Sequence, residues 1–138
     1  MENEKIEMKI KAIAEYIGEN TKNVNHEYGH IFSADGIEYR IYNEDEKQEA
    51  LQKEIKNSVW AFNPSFLEDM TGLNKEIFEM LAEKCESAND AVLKLIEKTC
   101  GLKKFVEKAV ECDGAGHFLA YYDGEEIELD NDLFAYRW

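Results

Sequence analysis

The sequence predicts an α+β fold in which about five helices accompany a small antiparallel sheet. Apolar residues recur at helical spacing through the middle of the chain, whereas residues 30–42 and the C-terminal tail carry the two-residue alternation of strands. Asp-Gly pairs at 35–36 and 123–124 are typical of tight hairpin turns, because glycine adopts positive φ without steric cost. The length of 138 residues suits one domain with its own core, so residues 1–138 are expected to form a single domain.

The N-terminal third predicts a helix, a connection and a hairpin. Isoleucines recur at steps of three and four from Ile6 to Ile17, which is the apolar stripe of an amphipathic helix, and Gly18 is expected to end it. Residues 19–28 are polar and show no period, so they are expected to be a connection. Residues 30–42 are expected to form a hairpin that turns at Asp35-Gly36.

The central region predicts one longer helix followed by three shorter ones. Asn43 is expected to cap the longer helix, because Glu46 stands three residues later as in a capping box. That helix is expected to end before Pro64, since proline disfavours helical angles in the preceding residue. The shorter helices are expected to open at Asn74, at Ser87 and at Leu102, with Gly114 ending the last.

The C-terminal tail is expected to be β-structure. Residues 118–122 predict one strand, followed by the Asp-Gly turn. Ile127 and Leu129 then alternate with Glu126 and Glu128 as in a strand, a turn follows at 130–132 and a last strand at 133–138. The hairpins near the two ends are expected to join into one antiparallel sheet. The stretch Trp60–Leu67 is the most apolar in the chain and is expected to be core, with a binding surface as the alternative.

The charge balance is strongly acidic, with 30 acids against 16 bases and a formal net charge of −14. So much negative charge repels nucleic acid and anionic membranes, and it favours proteins with basic surfaces as partners. No apolar stretch approaches the length of a membrane span and no basic leader precedes an apolar core, so a cytoplasmic location is expected. The three cysteines form no disulfide or zinc pattern and are expected to be reduced and mostly buried.

Acidic residues are concentrated in the tail, where residues 111–138 hold eight acids and one base. Carboxylates that alternate on a strand stand about 6.6–6.8 Å apart along one face. Such a row could imitate the phosphates of a nucleic acid and occupy a basic groove built for DNA or RNA. The alternative is a solvated acidic surface that maintains solubility. The candidate partner-binding residues are Asp113, Asp123, Glu125, Glu126, Glu128, Asp130 and Asp132.

The sequence contains no recognisable catalytic, cofactor or metal constellation, and the protein is expected not to be an enzyme. His117 lies among acids and could act as a general base, but no nucleophile signature accompanies it. His26 and His30 stand four apart in a region that does not predict a helix, so the spacing does not indicate a metal site. The triplet at 130–132 lacks EF-hand spacing, and the glycines at 114 and 116 follow a helix instead of preceding one. No cofactor or metal is expected.

Several segments resemble a group of small acidic proteins encoded by bacterial phages, prophages and plasmids. The segments are Trp60-Ala61-Phe62-Asn63-Pro64-Ser65-Phe66-Leu67, Gly116-His117-Phe118-Leu119, Tyr122-Asp123-Gly124-Glu125-Glu126 and Tyr136-Arg137. The resemblance runs from the Asp35-Gly36 hairpin to the C-terminus, whereas the N-terminal helix matches less well. No activity is established for that group, so the resemblance implies no catalytic residues.

The resemblance implies a mobile-element setting, in which small acidic proteins block restriction enzymes or CRISPR nucleases. Together with the acidic tail, it predicts an anti-CRISPR or antirestriction inhibitor that acts as a nucleic-acid mimic on a host nuclease. One alternative is a phage or plasmid accessory protein that acts through protein contacts, where the aromatic segment around Trp60 would matter more than charge. A second is a small hydrolase that uses His117.

Overall fold

The computed structural model describes residues 2–138, which divide into two compact units. We call residues 2–50 and 115–138 the sheet unit, and residues 51–114 the helical unit. The α+β class is confirmed, but residues 2–138 contain seven α-helices and not about five. The single domain expected from the length stays a prediction.

Over residues 2–138, one helix is followed by three strands, then by six helices and finally by two strands. The helices are α1 (Glu2–Ile17), α2 (Glu44–Lys56), α3 (Pro64–Thr71), α4 (Lys75–Ala82), α5 (Asn89–Lys98), α6 (Leu102–Asp113) and α7 (Ala115–Leu119). The strands are β1 (Val24–Tyr28), β2 (Ile31–Ala34), β3 (Ile37–Asn43), β4 (Ile127–Leu129) and β5 (Leu133–Arg137). None of the helices described over residues 2–138 is long and apolar enough to cross a membrane.

The five strands form one antiparallel sheet in the order β1-β2-β3-β5-β4. The two ends of the chain meet where β3 pairs with β5, in a register that places Ile41 opposite Ala135. The expectation that N-terminal and C-terminal hairpins join into one sheet is therefore confirmed. The Asp35-Gly36 turn is confirmed as well, because β2 and β3 pair from Ala34 and Ile37 outwards.

The isoleucine stripe of α1 packs on one face of this sheet. Ile13 is fully buried there among Phe32, Ile41 and Ala135, and Ile6, Ile10 and Ile17 pack against the edge of the same cluster. The stripe repeats every three or four residues, so one side of the helix is apolar and removes its surface from water against the strands.

Residues 19–28 are not simply a connection, because β1 occupies Val24–Tyr28 at an edge of the sheet. A 3₁₀ turn, Thr21–Asn23, precedes the strand and is capped by the side chain of Asn20, which accepts a hydrogen bond from Lys22 N at 2.9 Å. Val24 alone is buried within β1. An edge strand with one buried side chain lacks the apolar alternation by which sequence analysis recognises strands.

The helical unit contains a helix that the sequence analysis missed. The predicted longer helix ends early, at Lys56, and a 3₁₀ turn follows at Val59–Ala61. Asn63 and Pro64 then open α3, with Asn63 Oδ1 accepting from Ser65 N at 2.8 Å and proline in the first turn. Proline stops a helix before it, but it also suits the first helical position because that amide needs no intrahelical partner.

The remaining caps are partly confirmed. Asn74 caps α4 as expected, accepting a hydrogen bond from Glu76 N at 2.8 Å. Ser87 does not open α5, because it lies in a 3₁₀ turn, Cys85–Ala88, and the helix begins at Asn89. The Asn89 side chain instead donates to Lys56 O and accepts from Trp60 N, so it links three segments of the helical unit.

Aromatic rings form the centre of the helical unit. The Phe105 ring is fully buried and lies 5.1 Å from the Phe62 ring and 5.3 Å from the Phe66 ring. Phe62, Phe66 and Trp60 are half-buried, and Leu67 is fully buried. The segment 60–67 is therefore mainly packed against its own unit, as the first of the two interpretations expected.

The strand expected at 118–122 is wrong, because residues 115–119 form the short helix α7. Gly114, at φ 85, ends α6, and the chain turns into α7 at the next residue. Gly116 lies against the backbone of residues 124–126, where a Cβ atom would stand 2.9 Å from Glu126 N and conflict with the carbonyl of Gly124. Glycine is thus required for α7 to approach this turn.

The expectation of mostly buried cysteines is also wrong. Cys85 and Cys112 are exposed and Cys100 is half-buried, and all three are free thiols. Each lies at or after the end of a helix, where the apolar stripe no longer faces the core.

Candidate protein-binding surface

The hairpin of β4 and β5 carries four exposed carboxylates, which we call the acidic hairpin. Within β4, Ile127 is buried and Leu129 packs against the core, so Glu128 between them faces outwards by strand alternation. None of the four carboxylates forms a hydrogen bond or ion pair with the chain over residues 2–138. The acidic hairpin comprises Glu125, Glu128, Asp130 and Asp132.

The turn between β4 and β5 has an unusual backbone that suits its sequence. Asn131 and Asp132 both have positive φ, 63° and 57°. Short polar side chains tolerate this left-handed conformation better than other residues except glycine. Asp132 therefore contributes to the turn as well as to the negative charge, and Asn is the substitution that removes only the charge.

Glu126, a predicted contact residue, is bound within the fold. Its Oε2 accepts a hydrogen bond from the Tyr136 hydroxyl at 2.6 Å and lies 2.9 Å from Lys47 Nζ. Lys47 also lies over the Phe134 ring, 4.1 Å from the centroid. Burial, reinforced by the Glu126 carboxylate, raises the pKa of Tyr136 far above its usual value, so the hydroxyl stays a donor. This network ties α2 to β5.

Asp123 is partly bound as well. One carboxylate oxygen accepts a hydrogen bond from Glu125 N at 3.0 Å, and the other lies 3.9 Å from the Arg137 guanidinium. The first contact closes the turn after α7, and the second partly neutralises the charge. Asp113, the remaining candidate, is exposed at the end of α6 and belongs to the helical unit.

The predicted row of carboxylates along a strand is not formed. Among the acids of residues 111–138, Glu128 alone lies within a strand. Glu126, two residues before it, is held by Lys47, and the remaining hairpin acids lie in turns. The structure therefore leaves four carboxylates unpaired along one hairpin and does not form a regularly spaced series. Glu125 precedes β4, whereas Asp130 and Asp132 lie in the turn at the other end of that strand.

A second ionic cluster was missed by the sequence analysis. Lys9 is only 5% exposed, and its Nζ lies 2.9 Å from Glu46 Oε1 and 3.3 Å from His30 Nδ1. Glu46 also completes the predicted capping box, accepting from Asn43 N while Asn43 Oδ1 accepts from Glu46 N. Lys9 stands three residues after Ile6 and four before Ile13, on the apolar stripe of α1. A charged residue at the spacing of the buried positions was the sequence signal from which this cluster could have been found.

The pKa shifts in this cluster have identifiable causes. Burial by itself would raise the pKa of Glu46, but the Asn43 amide and the Lys9 ammonium outweigh it and lower that pKa. Burial and the nearby Lys9 charge lower the pKa of His30. The neutral imidazole and the ionised carboxylate are thus favoured together. The cluster joins α1, the turn before β2 and the start of α2. Its role is therefore structural.

Catalytic and metal chemistry receive little support from the geometry. His117 is exposed, and within residues 2–138 it contacts only the ring of its neighbour Phe118, at 4.9 Å. His26 Nε2 pairs with Gly29 O at 2.9 Å and its ring packs on Phe32. Over the described part of the chain, no three His, Cys, Asp or Glu side chains are placed to hold a metal ion.

No family model, curated protein or solved structure matches this chain. The resemblance to acidic proteins of mobile elements stays a prediction.

Proposed function

We propose that this protein is a non-enzymatic binding protein whose acidic hairpin occupies a basic, nucleic-acid-binding surface of another protein. The supporting observation is that four exposed carboxylates stand close in sequence on one hairpin and have no partner among residues 2–138. Like charges that are left unpaired repel one another, and a basic surface relieves that repulsion.

The net charge strengthens this interaction at long range. At −14, the chain attracts positively charged surfaces and repels nucleic acid itself. Exposed charges are screened beyond about 8–10 Å at physiological salt, so a complex formed in this way is sensitive to ionic strength. The same physics excludes anionic membranes as the preferred partner.

The partner that we propose is a host nuclease of a restriction or CRISPR system, which the protein inhibits. This part of the proposal depends on the resemblance to proteins of phages, prophages and plasmids. Such nucleases carry basic grooves for DNA or RNA, and a hairpin with exposed carboxylates can compete for part of a groove without imitating the full phosphate spacing.

The test compares two variants that lose the same number of negative charges. The first is E125Q/E128Q/D130N/D132N, which neutralises the acidic hairpin. The control is E79Q/E83Q/E86Q/E97Q, which neutralises four exposed glutamates of the helical unit. Tagged wild-type protein and both variants are used to capture proteins from bacteria that carry restriction and CRISPR systems, in low and in high salt.

We expect wild type and control to retain a nuclease at low salt and release it at high salt. The hairpin variant should lose it, with association slowed on the order of tenfold. Equal capture by the hairpin variant would contradict the proposal. A nuclease held equally in both salts and lost on Trp60→Ala would instead favour an accessory protein that acts through its aromatic segment.

A hydrolase that uses His117 is the weakest alternative, because the imidazole has no carboxylate or nucleophile bonded to it within residues 2–138. Its support would disappear if His117→Ala left nuclease inhibition unchanged.

A further inference from the structure

Among the exposed aromatic side chains of the sheet unit, three are grouped: two are neighbours in sequence, and one of these contacts the third. Tyr121 and Tyr122, in the turn after α7, are 82% and 75% exposed, and Trp138, after β5, is 41% exposed. We call these three residues the aromatic patch. Large aromatic side chains are usually buried, and tyrosine and tryptophan are enriched where proteins bind one another.

Two backbone hydrogen bonds and one ring contact anchor the aromatic patch. The Tyr122 amide donates to Arg137 O at 3.2 Å, and the Trp138 amide donates to Glu38 O at 3.0 Å. The Tyr121 ring packs on the Trp138 ring with centroids 5.4 Å apart. These contacts fix the backbone at Tyr122 and Trp138 and one face of the Tyr121 ring, which reduces the ordering that a partner must impose.

The aromatic patch already binds a guanidinium group. Arg40, on β3, places its Cζ atom 3.1 Å from the centroid of the Trp138 ring. A planar guanidinium stacks on an aromatic face through dispersion and the attraction of its charge to the ring quadrupole. Trp138 is thus engaged by Arg40, whereas most of the surface of both tyrosines remains open.

Acidic side chains accompany the tyrosines. Asp123 follows them directly and Glu125 stands two residues further on, exposed and without an ion pair among the described residues. Arginine uses both features at once, because its guanidinium stacks on a ring while its N–H groups donate to a carboxylate. A lysine ammonium is strongly hydrated and offers neither a plane to stack nor a paired set of donors.

We infer that Tyr121 and Tyr122 bind arginine side chains of the partner, on the side of the acidic hairpin that carries Glu125. This inference rests on the proposed function and specifies its chemistry: the preferred basic surface is rich in arginine rather than lysine. The aromatic patch supplies most of the selectivity. The acidic hairpin supplies the electrostatic attraction shared by both cations and the paired acceptors that add to the preference for a guanidinium.

The test uses oligo-arginine and oligo-lysine peptides of equal length as defined probes, with affinity measured by calorimetry at several salt concentrations. Two exposed cation–π contacts predict that oligo-arginine binds about fivefold to thirtyfold more tightly than oligo-lysine. Y121A/Y122A should remove most of this preference, because it weakens oligo-arginine binding much more than oligo-lysine binding. Y121F/Y122F, which keeps the rings, should retain the preference.

The matched control is Y16A/Y28A, which removes two other tyrosines of the sheet unit that are 55% and 69% exposed. It should leave the arginine preference intact. Thermal melts check that every variant folds. Equal affinity of the wild-type protein for the two peptides overturns the inference. An oligo-arginine preference that is as large in Y121A/Y122A as in the wild-type protein overturns it as well.

The two proposals fail in different ways. Salt-sensitive binding of both peptides without an arginine preference overturns the role of the tyrosines and leaves the acidic hairpin as the binding surface. Arginine-selective binding that E125Q/E128Q/D130N/D132N does not weaken supports the tyrosines and overturns the role of the acidic hairpin. Absence of binding to either peptide overturns both.

Discussion

The sheet unit and the helical unit each have an apolar core, but the sheet unit adds partly buried ionic contacts to its own. Ionic groups lie within the sheet unit, where Lys9 meets Glu46 and Lys47 meets Glu126 at 2.9 Å each. The helical unit is centred instead on the rings around Phe105, and its Lys108–Glu111 ion pair is exposed. Exposed pairs contribute little to stability, whereas apolar burial contributes much and is indifferent to protonation.

The comparison shows that one acidic chain can use its charges in two ways. Some carboxylates of the sheet unit are neutralised by lysines and fasten its elements, while those of the acidic hairpin are left exposed. Acidification should therefore weaken the Lys9–Glu46 contact of the sheet unit, where the pKa of Glu46 is lowered, before it affects the packing of the helical unit.

The largest effect is expected at the centre of the helical unit. Phe105→Ala should lower the free energy of unfolding by about 3–5 kcal/mol, because it leaves a cavity where a fully buried ring contacts two others. Urea denaturation at neutral and at acidic pH measures this cost. It should be the same at both, and a cost that depends strongly on pH would contradict the comparison.

A slightly smaller loss is expected in the sheet unit at Gly116. Gly116→Ala should cost roughly 3 kcal/mol, because the new methyl group meets backbone atoms of residues 124–126, which cannot rotate away as a side chain could. Gly18→Ala is the control: it has open space around it and only the strain of φ 74, about 1 kcal/mol. Equal melting temperatures for the two variants would show that α7 shifts to accommodate the methyl group.

The smallest effect is expected at Lys9, and it depends on pH. Lys9→Met should cost roughly 2–3 kcal/mol at neutral pH, because Glu46 loses a partner while keeping the Asn43 amide. The folded pKa of Glu46 lies below 4.5, so the stability that the pair contributes is present above that pH and is lost as the pH falls through the folded pKa.

The cost of Lys9→Met should therefore shrink on acidification, in contrast to that of Phe105→Ala. The folded pKa of His30 is also lowered, below 6.5, so its contribution is likewise lost as the pH falls through the folded value. Removing Lys9 should raise that pKa, which NMR titration of the His30 ring measures in the wild-type protein and in Lys9→Met. An unchanged His30 titration would disprove the coupling.

The sequence analysis succeeded where the cause of an element is local. The isoleucine stripe of α1, the Asp35-Gly36 turn and the Asn74 cap are each explained by residues within a few positions of one another. It failed at β1, α3 and α7. Strand β1 is held by its pairing with β2. Helix α3 begins at Pro64, a residue type that more often indicates the end of a helix. Helix α7 depends on the close approach of Gly116 to the backbone of residues 124–126.

The same division applies to the candidate surface. Composition alone located the acids of the tail, but it could not separate Glu126, bound to Lys47, from Glu128, which is exposed. Nor could it find the aromatic patch, since Tyr121 and Tyr122 fell within the strand predicted at 118–122 but lie exposed in the turn after α7.

By itself, the sequence determined the α+β class, the acidic character and the position of the negative charge, because composition and short-range periodicity carry that information. The tertiary structure decided which charges are neutralised and which rings remain exposed. Those outcomes depend on pairs far apart along the chain, such as Lys9 with Glu46 and Arg40 with Trp138. Only folding brings such side chains within the few ångströms over which ion pairs and ring contacts act.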